Sequence, residues 1–397
     1  GNAYIGRIGA GSYEREGIVR MSGQRILFIQ TQAENAGAQE VSRLLGEHLT
    51  NRGHTVRHLF FYKKSEDFSA PPDTVIVRQT RPSKWRFFSF IGELYKGIRD
   101  FKPDCVFCFQ HFGNVIGAPV ARLAGCPVIV ANQVTAPSLI NPVVALLDKG
   151  LGIVGIYDRV TVNSNFLLDT YGRYPNRYVS RLDLIPQGFE TKDWVMDKAS
   201  AREELGLPND VPLLGVSARL NPAKQIDKVL ALLAKRPEWH FAIAGQGSDF
   251  ARLQNEAVKL GITNRVHFLG EFAPCQIGKF LACLDVFTFP SAAESFGLAA
   301  IEAAQAGVPV VANDLPVLRE VLQANGRPCA MFIDVMDPEA FENAIATMLN
   351  DPKLAQTYRD RSGELNERYS LKAMVDAYEA LATGKDISAD KHQVMAI

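Results

Sequence analysis

From residue 21 onward the chain alternates between short runs of β-branched and aromatic residues and longer stretches with apolar residues at helical spacing. Residues 25–30 (RILFIQ) read as a strand. Residues 37–52 carry Val41, Leu44, Leu45 and Leu49 on one face and stop at Gly53, which predicts an amphipathic helix. Further strands are expected at 55–61, 74–78, 105–109, 128–131, 159–163 and 183–186, with a helix over 115–123. A second series follows, with strands at 213–217, 240–244, 266–269, 286–289, 308–312 and 330–333. Helical stretches at 226–234, 250–260, 276–284, 297–306 and 338–349 separate them. Two such βα series predict an α/β protein of two parallel-sheet domains, each wound on both faces.

The boundary falls at 187–193 (QGFETKD), where Gly188 suggests a hinge-like break. The expected division is a first domain over 21–190, a second over 191–370, and a helix over 371–384 that packs back toward the first domain. A flexible tail over 385–397 completes it. Residues 1–20 precede Met21 and lack the apolar core of a signal peptide, so they read as a leader or expression-derived segment, with a genuine N-terminal arm as the alternative.

Composition narrows the function. Of 397 residues, 47% are hydrophobic and 22% charged, a globular balance that excludes wholesale disorder. No apolar run reaches the ~18 residues that would suggest a membrane span. Lys+Arg and Asp+Glu both total 43, which argues against a general nucleic-acid binder. The charge is uneven: residues 21–190 hold 19 basic and 14 acidic side chains, and residues 191–384 hold 19 and 25. Six cysteines in so long a chain make no disulfide scaffold, so a reducing, cytoplasmic location is expected.

The most informative stretch is 289–311, FPSAAESFGLAAIEAAQAGVPVV. A strand ends at Pro290, a loop carries Glu294, and a small, apolar helix opens near Phe296 and Gly297. Glu302 interrupts that helix. A buried carboxylate needs a ligand or a strong donor, and a nearby Arg or Lys is the plain alternative. The free N–H groups near Ser295, Phe296, Gly297 and Leu298 form an anion seat. Arg219 and Lys224 follow the strand at 213–217, where parallel sheets bind ligands, and two cations there suit a diphosphate. Two solvated loop cations are the alternative. Gly245 and Gly247 end another strand as half of a dinucleotide fingerprint, which is poor evidence for NAD and ordinary as a tight turn.

In order and spacing this set resembles the retaining GT-B glycosyltransferases of family 4, which include bacterial mannosyl-, glucosyl- and N-acetylglucosaminyl-transferases. The resemblance spans residues 25–381. Its most specific part is the E-x7-E stretch over 290–314, supported by Arg219, Lys224, the glycines at 245 and 247, HFLGEF at 267–272 and IPQGFE at 185–190. It implies a GT-B fold, two Rossmann-like domains facing a central cleft. It also implies transfer of a sugar from a nucleoside-diphosphate sugar to a glycan or lipid-linked acceptor. Arg219 and Lys224 would hold the diphosphate, and the amides of Phe296, Gly297 and Leu298 its oxygens. Ser295 and Gly245 belong to the same donor lining. Glu302 would bind the ribose, Glu294 the transferred sugar, and the backbone near Phe272 the base. No metal and no cofactor are implied, since the nucleotide-sugar is a co-substrate.

The first domain matches less closely. The family's glycine pair is represented by Ala36 and Gly37, and a cleft histidine by Gln133, which cannot act as a general base. The departing phosphate can take the acceptor's proton instead. His111, after the strand at 105–109, is either an acceptor-side residue or a local loop histidine. Cys105 and Cys108 have CxxC spacing, but residues three apart on a strand face opposite ways, so zinc or redox chemistry is not expected. Residues 78–99 interleave Arg78, Arg81, Lys84, Arg86, Lys96 and Arg99 with Trp85, Phe87, Phe88, Phe90 and Tyr95. The favoured reading is a basic loop before an amphipathic core helix; the other is a patch for peripheral contact with anionic lipid. The competing functions are a nucleotide-sugar epimerase and a non-catalytic glycan- or partner-binding module. An NAD oxidoreductase is disfavoured by the missing fingerprint.

Overall fold

The computed structural model describes residues 23–34, 37–65, 68–190 and 197–384. The expected leader, the expected tail, Ala36 and linker residues 191–196 lie outside the described residues.

The first domain opens with β1 (Arg25–Ala33), α1 (Gly37–Asn51), β2 (Thr55–Lys63), β3 (Thr74–Arg78) and α2 (Phe87–Phe101). It continues with β4 (Cys105–Phe109), α3 (Gln110–Phe112), α4 (Ala118–Leu123), β5 (Val128–Gln133) and α5 (Pro142–Val154). It closes with β6 (Arg159–Val162), α6 (Asn165–Tyr171), α7 (Asn176–Val179) and β7 (Leu182–Leu184). Its seven strands form one parallel sheet in the order β3-β2-β1-β4-β5-β6-β7.

The second domain runs α8 (Lys198–Glu204), β8 (Leu213–Ser217), α9 (Ile226–Lys235), β9 (His240–Ala244), α10 (Phe250–Lys259) and β10 (Val266–Gly270). Then come α11 (Ile277–Ala282), β11 (Val286–Phe289), α12 (Leu298–Gln305), β12 (Val310–Asn313) and α13 (Pro316–Val321). A small hairpin, β13 (Gln323–Ala324) and β14 (Arg327–Pro328), precedes β15 (Met331–Ile333) and α14 (Pro338–Asn350). The second sheet is also parallel, in the order β10-β9-β8-β11-β12-β15. The chain ends in α15 (Pro352–Gly363), α16 (Leu365–Arg368) and α17 (Leu371–Thr383).

Alternation along the central strands sorts side chains between the two faces of the first sheet. Leu27, Ile29, Val106 and Cys108 pack against Phe90, Leu94 and Ile98 of α2, while Ile26, Phe28, Cys105 and Phe107 meet Val41 and Leu45 of α1. Cys105 and Cys108 are free thiols on opposite faces. Helix α17 joins the α1 face through Met374, Val375, Tyr378 and Leu381, and Arg52, just after α1, pairs with Asp376 at 2.6 Å. The C-terminal helix is thus a strap over the first domain. A parallel bridge between Phe189 and Ser370 marks where the chain crosses between the domains twice. Gly188, where the sequence suggests a hinge-like break, lies at that crossing. A Cβ there would collide with the backbone of Ser370 and Leu371, so it permits two backbones to touch.

Two local departures from the sequence pattern matter for the cleft. The helix expected over 115–123 starts earlier, at Gln110, and contains a π-helical turn, Gly113–Gly117. A Cβ at Gly117 would lie 2.7 Å from Cγ2 of Ile29, so the wide turn and the glycines together seat this segment on β1. Helix α2 buries Phe90, Leu94, Ile98 and Phe101, as an amphipathic core helix does, yet Trp85 and Phe88 just before and within it are almost fully exposed. Among the described residues no helix is long and apolar enough to cross a membrane.

Candidate active site in the interdomain cleft

The carboxyl ends of both sheets face the gap between the domains. On the second domain, Arg219 leaves β8 in a loop tied to its neighbour: the amide of Ala218 donates to Ala244 O at 3.0 Å and that of Leu220 to Gln246 O at 2.8 Å. Gly245 has φ +146°, and a Cβ there would collide with the Ala218 carbonyl; one at Gly247 would meet the Leu220 carbonyl. The paired glycines therefore let the Arg219 loop lie flat on its neighbour, and Leu220 anchors it in the core. Lys224 ends a 3-10 turn over Pro222–Lys224, capped by Asn221, whose side chain accepts from the Ala223 amide at 3.0 Å. The Ala292 amide donates to Ala223 O at 2.8 Å, stitching that turn to the loop after β11.

That loop carries Glu294. Its carboxylate, 11% exposed, lies 2.5 Å from the Lys224 ammonium, which also sits 5.7 Å from the centre of the Phe289 ring. Helix α12 begins immediately beyond. Gly297 is its N-cap with φ +88°, and no side chain caps it, so its first amides keep their donor capacity. A Cβ on Gly297 would run into Leu318, so glycine is required here by both backbone and packing. Phe296 turns the other way. Its ring packs on Tyr369 and Phe189, 5.6 and 6.5 Å between centroids, which fastens the helix mouth to the linker crossing. Ala300, Ile301, Ala303 and Ala304 of α12 are buried, whereas Leu298 and Glu302 lie half-buried on its open side. The fully buried carboxylate that the apolar run suggested for Glu302 is therefore not found. Its spacing of four from Leu298 places it on the helix's open stripe. Phe272 is half-buried beyond β10, its ring 5.7 Å from that of Phe280.

The first domain supplies the opposing wall. Gly37, the first residue of α1, stands so close to the start of α12 that a Cβ would lie 3.4 Å from Leu298 Cδ2. Two helix starts, both electropositive, thus face one another across the gap. His111 follows Gln110, a non-glycine residue at φ +66°; the Gln110 side chain accepts from the Thr31 amide at 3.3 Å. The half-buried imidazole packs 4.7 Å from Phe112, and burial lowers its pKa, so it stays neutral near pH 7.

Gln133, expected on the acceptor side, is turned into the domain interior. Its amide nitrogen donates to both oxygens of Asp148 at 2.8 Å, and its carbonyl oxygen accepts from Tyr171 and Asn114 at 3.2 and 3.3 Å. Both ends of the side chain are thereby committed to packing. The physical reason is Asp148 of α5, a buried carboxylate that needs the donors Gln133 and the Tyr157 and Tyr178 hydroxyls provide.

Taken together, the cleft holds two cations, an uncapped helix mouth and a carboxylate within one pocket wall, a set suited to a diphosphate with a polyhydroxylated group beside it. Two family profiles match this architecture: "Glycosyltransferase Family 4" over residues 36–193 and "Glycosyl transferases group 1" over residues 197–365. The chain belongs to the group 1 glycosyltransferases. A lipopolysaccharide core biosynthesis mannosyltransferase, LpsB of Rhizobium meliloti, is 28% identical over 214 residues, 50% of this chain and 60% of that protein. A D-inositol 3-phosphate glycosyltransferase of Streptomyces avermitilis is 31% identical over 313 residues, 72% of this chain and 66% of that protein. Like LpsB, the relatives heading the comparison are matched over about three fifths of their own length. The crystal structure of Anabaena HepE in complex with UDP and glucose superposes with a TM-score of 0.77 at 18% identity, covering 91% of this chain and 100% of that one. The fold of this family member is accordingly GT-B.

Two cleft residues have no counterpart in the sequence reading. Glu34, just after β1, pairs across the gap with Arg219 at 2.8 Å. Glu320 of α13 accepts from the first two amides of α6 in the other domain, Asn165 at 2.6 Å and Phe166 at 2.7 Å. Glu34 lies in the polar loop TQAENAG, where no periodicity singles it out; the sole signal was its place at a strand's carboxyl end.

Proposed function

We propose that the chain transfers a sugar from a nucleoside-diphosphate sugar to a glycan or lipid-linked acceptor, with retention at the anomeric carbon and without a metal. The observation that carries this reading is the Lys224–Glu294 pair beside the uncapped start of α12. In the proposed complex Arg219 and Lys224 bind the diphosphate, and the amides of Ser295, Phe296, Gly297 and Leu298 receive its oxygens. Glu302 takes the ribose hydroxyls, and the base lies near Phe272. Glu294 exchanges Lys224 for the hydroxyls of the transferred sugar and the positive charge that grows at its anomeric carbon. The bond from that carbon to the phosphate oxygen breaks. The acceptor oxygen bonds to the carbon on the same face, and the acceptor's proton passes to the leaving phosphate. Gly37 and His111 border the acceptor side. The mannosyltransferase name of LpsB and the UDP and glucose in the HepE crystal support this substrate class.

Incubation with a panel of UDP-, GDP- and ADP-sugars, following free nucleotide and the recovered donor, tests the reading. Transfer or slow hydrolysis is expected. An isomerised donor without nucleotide release would instead indicate an epimerase, and an inert panel a binding module. Within the same assay, Glu294→Gln is expected to lower kcat about a hundredfold, as loss of one aligned transition-state partner does. Nucleotide affinity should stay within about threefold, since the cations and amides remain.

The acceptor side of this reading includes a bilayer. Trp85 and Phe88 are 97% and 85% exposed, and α5 leaves Val143, Leu146, Leu147 and Val154 uncovered. Both helices start at the carboxyl edge of the first sheet, beside the cleft, and exposed basic residues Arg81 and Arg86 accompany the aromatic pair. Free, mostly buried thiols fit the reducing cytoplasmic side of such a membrane. Vesicles containing phosphatidylglycerol are expected to sediment the protein at low salt, and Trp85→Ser with Arg86→Glu to abolish it. Wild-type protein left in the supernatant removes the membrane contact.

A further inference from the structure

Glu34 occupies a built socket. Its carboxylate is 9% exposed; one oxygen meets Arg219 at 2.8 Å and the other meets Lys64 at 3.0 Å. The Gln32 amide also donates to Glu34, and the Tyr62 hydroxyl donates to the Gln32 side-chain oxygen at 2.9 Å. Three of these groups belong to the first domain. Arg219 comes from the second, 43% exposed and at the position where the donor's diphosphate is proposed to bind.

We propose that Glu34 is a stand-in for the diphosphate: it holds Arg219 when no donor is bound, and the donor must take Arg219 from it. The inference rests on the donor reading above. The exchange is physically reasonable because it is one-sided. When Arg219 leaves, Glu34 keeps Lys64 and the Gln32 amide, so no buried carboxylate is stranded without a cation. Arg219 in turn gains a phosphate, a partner that matches its planar fork. Because the pair joins the two domains, losing it couples nucleotide binding to their relative position, and that coupling is reciprocal. Glu34 is thus a positioning residue that tunes donor affinity, with no contact to the reacting atoms required.

Two substitutions test this with opposite signs. In calorimetric titrations with UDP, GDP and ADP separately, Glu34→Gln is expected to bind the accepted nucleotide about three- to tenfold more tightly than wild type, the scale of one partly buried ion pair. Lys64→Met is expected to bind it about threefold more weakly, because a released Glu34 would then lack a cation. Glu47→Gln, the same charge change on an exposed carboxylate of α1, should leave affinity unchanged. General damage to the fold would weaken binding in both cleft variants and cannot produce the tighter one. Without nucleotide, small-angle scattering should give Glu34→Gln a larger radius of gyration than wild type. If wild type binds a nucleotide and Glu34→Gln binds it equally or more weakly, the stand-in role is overturned and the donor reading survives. If no nucleoside diphosphate binds wild type or either variant, the donor reading falls and this inference with it.

Discussion

Lys224→Ala is expected to lower kcat/KM for sugar transfer by about a thousandfold and to weaken nucleoside diphosphate binding in the same protein. The size follows from what the ammonium does in two states. Before donor binds it neutralises Glu294 at 2.5 Å, and without it an 11%-exposed carboxylate is left facing incoming phosphate. In the transition state it meets charge building on the departing diphosphate, in a site whose other wall is a helix mouth; one aligned donor in such a setting is worth about 10²–10³ in rate. Loss of ground-state binding adds to that. The lysine is well placed for this duty because its turn is fixed by the Asn221 cap and the Ala292–Ala223 bond, so little ordering remains when donor arrives. Steady-state kinetics with calorimetry on the same preparation separates the two effects. A small, equal loss for Lys224→Ala and Glu294→Gln would contradict the roles given to both.

Asp148→Ala carries the largest expected loss of stability, about 2–5 kcal/mol in urea unfolding, the scale of two or more buried donors left unsatisfied. Asp148 lies on the buried side of α5 and gathers donors from Gln133, Tyr157 and Tyr178. Its removal takes the acceptor from two buried phenols and leaves the Gln133 amide only the Tyr178 hydroxyl, 3.0 Å away. The fold variant should still bind nucleotide at low temperature, since the network sits in the domain that does not hold the donor. Burial also raises the Asp148 pKa above its ordinary 3.8, against the pull of its three donors. A raised carboxyl pKa means the native state binds this proton more readily than the unfolded chain. The resulting stabilisation is complete below about 3.8 and is lost as pH rises through the raised native value. Asp148→Asn should remove that component. A wild-type stability profile that Asp148→Asn leaves unaltered in this window would show that the carboxyl is not titrating differently on folding.

Strand β4 and helix α1 stand out in the sequence for different reasons: β4 is a short, wholly apolar run buried on both faces, and α1 repeats its apolar residues at about 3.6 with one buried side to enforce it. Helix α5 escaped notice for the opposite reason. Its exposed positions include Val143, Leu146, Leu147 and Val154, so apolar residues lie on both its sides and no stripe is visible. The E-x7-E stretch announced the donor wall because the chemistry there is local: Glu294, the Gly297 cap and the oily body of α12 fall within a dozen residues. Gln133 misled because a strand's last residue can face the cleft or the interior. Which one it takes depends on Asp148, fifteen residues away on the next helix.

The order of βα units, the parallel sheets and the candidate donor residues were therefore determined by the sequence itself, since periodicity and loop chemistry act between near neighbours. Tertiary structure alone decided which charges meet. Arg219 could have been a solvated loop cation; it becomes Glu34's partner because two domains bring residues 34 and 219 to 2.8 Å. Ion pairing depends on distance in space and on burial, and neither is encoded in spacing along the chain.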